Sequence, residues 1–157
     1  MKSYIKRIIF FLVLSLLFYG CGFESIYSLK NTNFRFSEII TNDENISLNI
    51  KDRLTSYYST DLGKTDYSLE IKLNKKRIVK SKNKLGEALV YSIEIKGDIL
   101  IFKNQSLQST LDVNEFFEYQ NTDDKFELST YERNIEKNLI SNIANDLIIR
   151  IIDIQND

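Results

Sequence analysis

The 157-residue chain has no histidine, no proline and no tryptophan, one cysteine, one methionine and five glycines. Without histidine there is no imidazole base, no histidine metal ligand and no serine–histidine–aspartate triad. A single cysteine, Cys21, excludes an intrachain disulfide, so stability has to come from core packing. The glycines are scattered and form no phosphate-cradling loop. Asp43-Glu44 and Asp123-Asp124 lack the spaced ligands and central glycine of a calcium loop, and fit solvated loops or helix starts better. No carboxylate pair is singled out for glycoside hydrolysis. The residue types argue against an enzyme and imply no cofactor and no metal.

What is present begins with an address. Lys2, Lys6 and Arg7 form a basic flank, and Ile8–Tyr19 is a largely apolar run of twelve residues. That run suits a signal peptide and is well short of the roughly 20 residues a membrane-spanning helix needs. Gly20 then precedes Cys21, as cleavage and transfer of a diacylglyceryl group to the thiol require. Phe18 and Tyr19 depart from the usual lipobox residues. The alternative is an uncleaved anchor carrying an incidental cysteine. The expected organisation is a signal peptide over 1–20, a lipidated tether over 21–33 and one domain over 34–157.

Removing the leader removes three cations and no acid, which leaves a net charge of −4. A general nucleic-acid binder would carry a global basic excess instead.

Within the domain, Phe34–Ile40 alternates and then closes apolar, predicting a strand. Thr41–Asn45 is turn material able to cap a helix. Ile46, Ile50, Leu54, Tyr57 and Tyr58 recur at helical spacing, predicting a helix over Asn45–Leu62 stopped by Gly63. Tyr67, Leu69, Ile71 and Leu73 alternate with polar residues, as do Leu89, Tyr91, Ile93 and Ile95. That second pattern resumes at Ile99 and Ile101 past Gly97, where a bulge is expected. After a turn at Lys103-Asn104-Gln105, Leu107, Leu111, Val113, Phe117 and Tyr119 carry a third strand, and Phe116, Phe117 and Tyr119 fit core and strand residues better than a binding platform. From about Thr122 the period becomes helical, with Ile135, Leu139, Ile143 and Leu147 heading a broad stripe. The order is β-α-β-β-β-α. It predicts an α+β fold: a small, mainly antiparallel four-stranded sheet with two helices packed on one face.

One stretch carries a local charge signal. Lys72 to Lys84 holds seven basic residues in thirteen and no acid. If the strand continues through it, Lys72, Lys76, Lys80, Lys82 and Lys84 share a face. Two readings stand side by side: contact with a phosphate-bearing partner, or a solvated hairpin whose lysines guard a sheet edge. Charge clustering singles out Lys75, Lys76, Arg77 and Lys80 as candidate anion-binding residues.

Several motifs together resemble the LptE family of lipopolysaccharide-assembly lipoproteins, in its alphaproteobacterial form. Cys21-Gly22-Phe23 followed by Ile26-Tyr27 is similar to that family's Cys-Gly-Phe-x-x-Leu-Tyr opening. Arg53-Leu54 within Ile50–Tyr57, Tyr67-Ser68-Leu69, Tyr91-Ser92-Ile93, and Tyr131-Glu132-Arg133 leading into Leu139 and Ile143 extend the likeness. The proline usual after the opening phenylalanine and an alanine-rich final helix are absent. The resemblance implies a non-enzymatic lipoprotein on the periplasmic face of the outer membrane. It would plug and help assemble the LptD β-barrel and contact lipopolysaccharide passing to the outer leaflet. Gly22 rather than aspartate after Cys21 fits export to that membrane. The alternatives are a periplasmic ligand-binding or inhibitor lipoprotein without a barrel partner and, further off, a peptidoglycan-binding lipoprotein.

Overall fold

A computed structural model describes residues 33–57 and 64–156. The leader, Cys21, the tether up to Thr32, Tyr58, Leu62 and Gly63 lie outside the described residues. Four strands form one sheet in sequence order: β1 (Phe34–Thr41), β2 (Thr65–Lys82), β3 (Ala88–Lys103) and β4 (Ser106–Gln120). Helix α1 (Asn45–Leu54) runs into a 3-10 turn over Thr55–Tyr57, and helix α2 (Lys125–Asn156) closes the chain. β1 pairs parallel to β2, while β2–β3 and β3–β4 are antiparallel. The fold is the expected α+β arrangement, with a mixed sheet.

The period-two pattern decides what is buried. Tyr67, Leu69, Ile71 and Leu73 of β2, Ile93, Ile95, Ile99 and Ile101 of β3, and Val113 and Tyr119 of β4 face the helices. From α1, Ile46, Ile50 and Leu54 meet them; from α2 come Ile135, Leu139, Ile143, Leu147 and Ile151. Phe34, Phe36, Tyr57 and Tyr67 make an aromatic cluster at the start of the sheet. Phe34 stacks on Tyr57 at 5.6 Å and meets Tyr67 edge-on at 6.2 Å.

Five expectations need correction. The first α-helix ends at Leu54 and passes into a 3-10 turn over Thr55–Tyr57; the rest of the expected helix lies outside the described residues. The capping role given to Thr41–Asn45 is also displaced: α1 has no side-chain cap at its N-terminus. Asn42 and Ser47 instead finish the sheet where β1 ends, because Leu73 has no β1 residue beside it. Leu73 N–H donates to Ser47 Oγ at 3.2 Å, and Asn42 Nδ2 donates to the Leu73 carbonyl at 3.1 Å.

Gly97 is not a bulge. It pairs in register with Leu73 on one side and Val113 on the other. Its φ of 145° and the Lys72 carbonyl lying where a Cβ would project make glycine the residue that lets β2 and β3 approach there. The ladder slips elsewhere, at Ser37 in β1, around Ser81 in β2 and between Ile101 and Phe102 in β3.

Phe116 and Phe117 are strand residues but not core. They are 58% and 43% exposed, and of the three aromatics only Tyr119 is buried. The last correction concerns the five-lysine face. The slips around Ser81 break the strict alternation before Lys82, and Lys84 sits in the β2–β3 loop.

Other local signals hold. Asn104 and Gln105 both take positive φ, the geometry of a two-residue hairpin turn. Asp124 starts α2, accepting from the Phe126 and Glu127 amides at 2.9 Å each. A direct check concerns the strand-end device. Ser47→Ala should leave the buried Leu73 amide unpaired and cost about 1–3 kcal/mol in a urea unfolding experiment. An unchanged midpoint would show that the amide finds another partner.

Candidate functional site

The basic stretch occupies the far half of β2 and its loop to β3. Alternation deals its cations to two faces with different chemistry. Lys75 and Arg77 follow Leu73 on the helix-facing side. Lys75 Nζ lies 2.7 Å from Glu136 of α2. Arg77 Nε lies 2.9 Å from Glu132 and donates to the Tyr119 hydroxyl at 3.1 Å, while its guanidinium carbon sits 3.6 Å from the Tyr91 ring centre. Tyr119 in turn donates to Glu132 at 2.6 Å.

This cluster shifts its own titrations. Burial works against the Arg77 charge, but the Tyr119 hydrogen bond and the Glu132 carboxylate outweigh it and hold the guanidinium above its ordinary range. Burial, reinforced by the hydrogen bond to Glu132 and only partly opposed by Arg77, pushes the Tyr119 phenol up to about 12.

The open face differs. Lys80 lies 3.4 Å from Glu118 and 3.9 Å from Glu94. Lys96 also reaches Glu94, at 3.0 Å, and Lys72 pairs with Glu70 at 2.6 Å. Lys76 stands opposite Glu94 in the ladder without forming an ion pair among the described residues. Lys82 and Lys84 are likewise without an acidic partner among the described residues.

Of the four residues singled out by charge clustering, Lys75, Arg77 and Lys80 are therefore ion-paired, and Lys76 is free. Among the described residues, the cations of the stretch left without an acidic partner are Lys76, Lys82 and Lys84. Sequence reasoning missed the partners Glu132, Glu136 and Glu118. The odd numbering of Lys75 and Arg77, in phase with Leu73, was the available signal that they turn toward the helix.

The loop that carries Lys84 is braced from within. Asn83 accepts from the amides of Leu85 and Glu87 at 2.9 and 3.0 Å and donates to the Glu87 carboxylate at 2.7 Å. Gly86 supplies the positive φ. The brace presents Leu85 at the tip, 84% exposed. An 18-residue strand rising about 3.3 Å per residue puts this tip about 55 Å from the start of β2. A basic, apolar-tipped end held at that distance can meet an anionic, partly apolar surface. Among the described residues no acid cluster suits a metal, and no helix is long and apolar enough to cross a membrane.

No family model matches the sequence, and no curated protein is similar to it. Solved structures do share the fold. Rare lipoprotein B from Shewanella oneidensis superposes with a TM-score of 0.53 at 10% identity, over 77% of this chain and 96% of its own. A lipoprotein B from Nitrosomonas europaea gives 0.56 at 8% identity, over 80% and 87%. A minor lipoprotein from Acinetobacter baumannii gives 0.52 at 14% identity, over 73% and 87%. The chain thus has a fold found among bacterial lipoproteins; identities this low speak for fold alone.

The Tyr119 shift has a definite sign. A phenol raised in the folded state contributes stability below its ordinary value near 10, and that contribution is lost as pH climbs toward about 12. Tyr119→Phe should therefore lose less stability than the parent between those values. In a 13C-tyrosine titration it should lack a resonance that titrates toward about 12. Equal alkaline losses in both proteins would break the link to Tyr119.

Proposed function

We propose that this chain is a non-enzymatic, lipid-anchored subunit of lipopolysaccharide export at the outer membrane. Cys21 carries the lipid, and the folded domain seats in an LptD-type β-barrel on the periplasmic side. The observation that carries the reading is the shared fold with rare lipoprotein B, the LptE family, in a chain that opens on a basic flank, a short apolar run and Gly20-Cys21. The likeness to several lipoproteins of this fold also supports the lipid anchor.

The hairpin gives the reading a mechanism. Lys76, Lys82 and Lys84 are the cations of the stretch with no acidic partner among the described residues, so they are the ones available to phosphates on lipid A or the inner core. Leu85 at the tip offers an apolar contact beside them. Lys75 and Arg77 then serve the fold, by holding α2 to β2. Contacts of exposed lysines are salt-dependent and individually modest, so the effect rests on several acting together. A polar barrel lumen suits a domain whose open sheet face carries alternating charges.

Two measurements test this. Mild detergent extraction at native expression should bring down a large β-barrel protein with the chain; a clean monomer would favour a free-standing periplasmic lipoprotein. Separately, reversing Lys76, Lys82 and Lys84 to glutamate should weaken lipopolysaccharide binding at low salt at least tenfold while the barrel association persists. Unchanged binding would make the hairpin a solvated edge.

A further inference from the structure

A concave site lies on the helical side of the sheet. On α1, Leu48, Asn49, Asp52 and Arg53 recur at intervals of one, three and four, and on α2 Arg133, Glu136, Lys137 and Ile140 do the same. Such spacing puts each set on one side of its helix. The two sets face each other across a cleft of about 810 Å³, with Lys75 of β2 among its walls.

Its charges do not cancel. Lys75 and Glu136 neutralise one another at 2.7 Å, and Asn49 donates to the same carboxylate at 3.5 Å. That leaves Arg53, Arg133 and Lys137 against Asp52, a net of two positive charges on the wall. Arg133 donates to the Thr130 hydroxyl at 3.2 Å, but none of the three cations forms an ion pair with any described acid. Unpaired cations converging on a concave surface focus positive potential there. Two guanidinium forks add directional donors that match the oxygens of an oxyanion. Leu48 and Ile140 supply an apolar wall, and the carboxamides of Asn45 and Asn49 can meet hydroxyls.

We infer that the α1–α2 cleft binds a small phosphate ester through Arg53, Arg133 and Lys137. Charge favours phosphate over a carboxylate: a monoester brings about two negative charges at neutral pH, the excess that the wall presents. The volume lies within the roughly 300–1,000 Å³ of small-ligand sites, large enough for a phosphorylated sugar. The site is separate from the free lysines of the hairpin and does not rest on the function proposed above. The same chemistry has two sources, a free phosphate ester and the phosphorylated headgroup of a lipid.

The test uses the purified mature chain with glucose 1-phosphate, with glucose as an uncharged control, and with vesicles containing phosphatidic acid. Calorimetry gives the affinity, and amide shifts in 15N spectra locate it. Binding should perturb the amides around Arg53 and Arg133, should fail for glucose, and should weaken at least tenfold in Arg133→Glu/Lys137→Glu. The hairpin reversal of Lys76, Lys82 and Lys84 should leave the glucose 1-phosphate affinity within twofold. Where charge reversal disturbs the fold, Arg133→Gln/Lys137→Gln removes the charge alone and should still weaken binding at least fivefold. Binding of the free ester assigns a soluble ligand, and binding of vesicles alone, lost in the same variants, assigns a headgroup. No binding of either probe, equal affinity in the cleft variants, or shifts confined to the hairpin would overturn the inference.

Discussion

The structure depends on the helix-facing side of β2 and on the place where its character changes. Tyr67, Leu69, Ile71 and Leu73 are all fully buried. At about 1.5–3 kcal/mol for each large apolar side chain removed from water, they form the strongest continuous strip in the sheet. The next two residues in phase are Lys75 and Arg77. There the contact between sheet and helix turns from apolar to ionic, and α2 turns with it, offering Glu136 and Glu132 one helical turn apart. The bridges alone would be modest at this exposure. The Arg77 guanidinium is also stacked on Tyr91 and tied to Tyr119, so one side chain joins β2, β3, β4 and α2.

That switch sorts the basic residues into two kinds. A cation in phase with Leu73 finds a carboxylate on α2, because α2 continues past the end of the apolar strip. A cation out of phase faces the open side, where Glu94 and Glu118 satisfy Lys80 but not Lys76. The loop lysines have neither option. Charge density along the chain therefore overstates what is available to a partner: seven cations in the stretch reduce to three that no acid among the described residues claims.

This also explains which parts were legible in the sequence. The four strands and the long final helix follow from apolar periods along each segment, so their order and type are legible in the sequence. The ion pairs were not, since Arg77 and Glu132 are 55 residues apart and Lys75 and Glu136 are 61 apart. Gly97 shows a different limit. Tyr91, Ile93, Ile95, Ile99 and Ile101 stay in phase across it, so the alternation itself argued against an inserted residue. The close approach of the Lys72 carbonyl is a tertiary fact with no local mark. Phe117 keeps the phase of Val113 and Tyr119, so alternation puts it on the helix side, yet it stays exposed; Phe116 is out of phase, opposite Glu94, and lies on the open face. Cys21, the expected lipidation site, falls outside the described residues.

Those two phenylalanines sharpen the demands on a partner. β4 is an edge of the sheet, so its outer backbone groups are open to pairing. Exposed aromatics on a free edge would invite a second copy of the strand. Between Ser106 and Gln120, however, β4 carries Asp112, Glu115 and Glu118 and no cation at all. Two such edges brought side by side would set like charges against each other whichever way they ran. The acids thus oppose self-association while leaving the aromatic surface accessible to a different chain. Such a chain would need neutral or basic residues opposite β4 and an apolar surface for Phe116. The same domain shows cations at its hairpin and acids along its edge, so these two surfaces would favour neighbours of opposite charge.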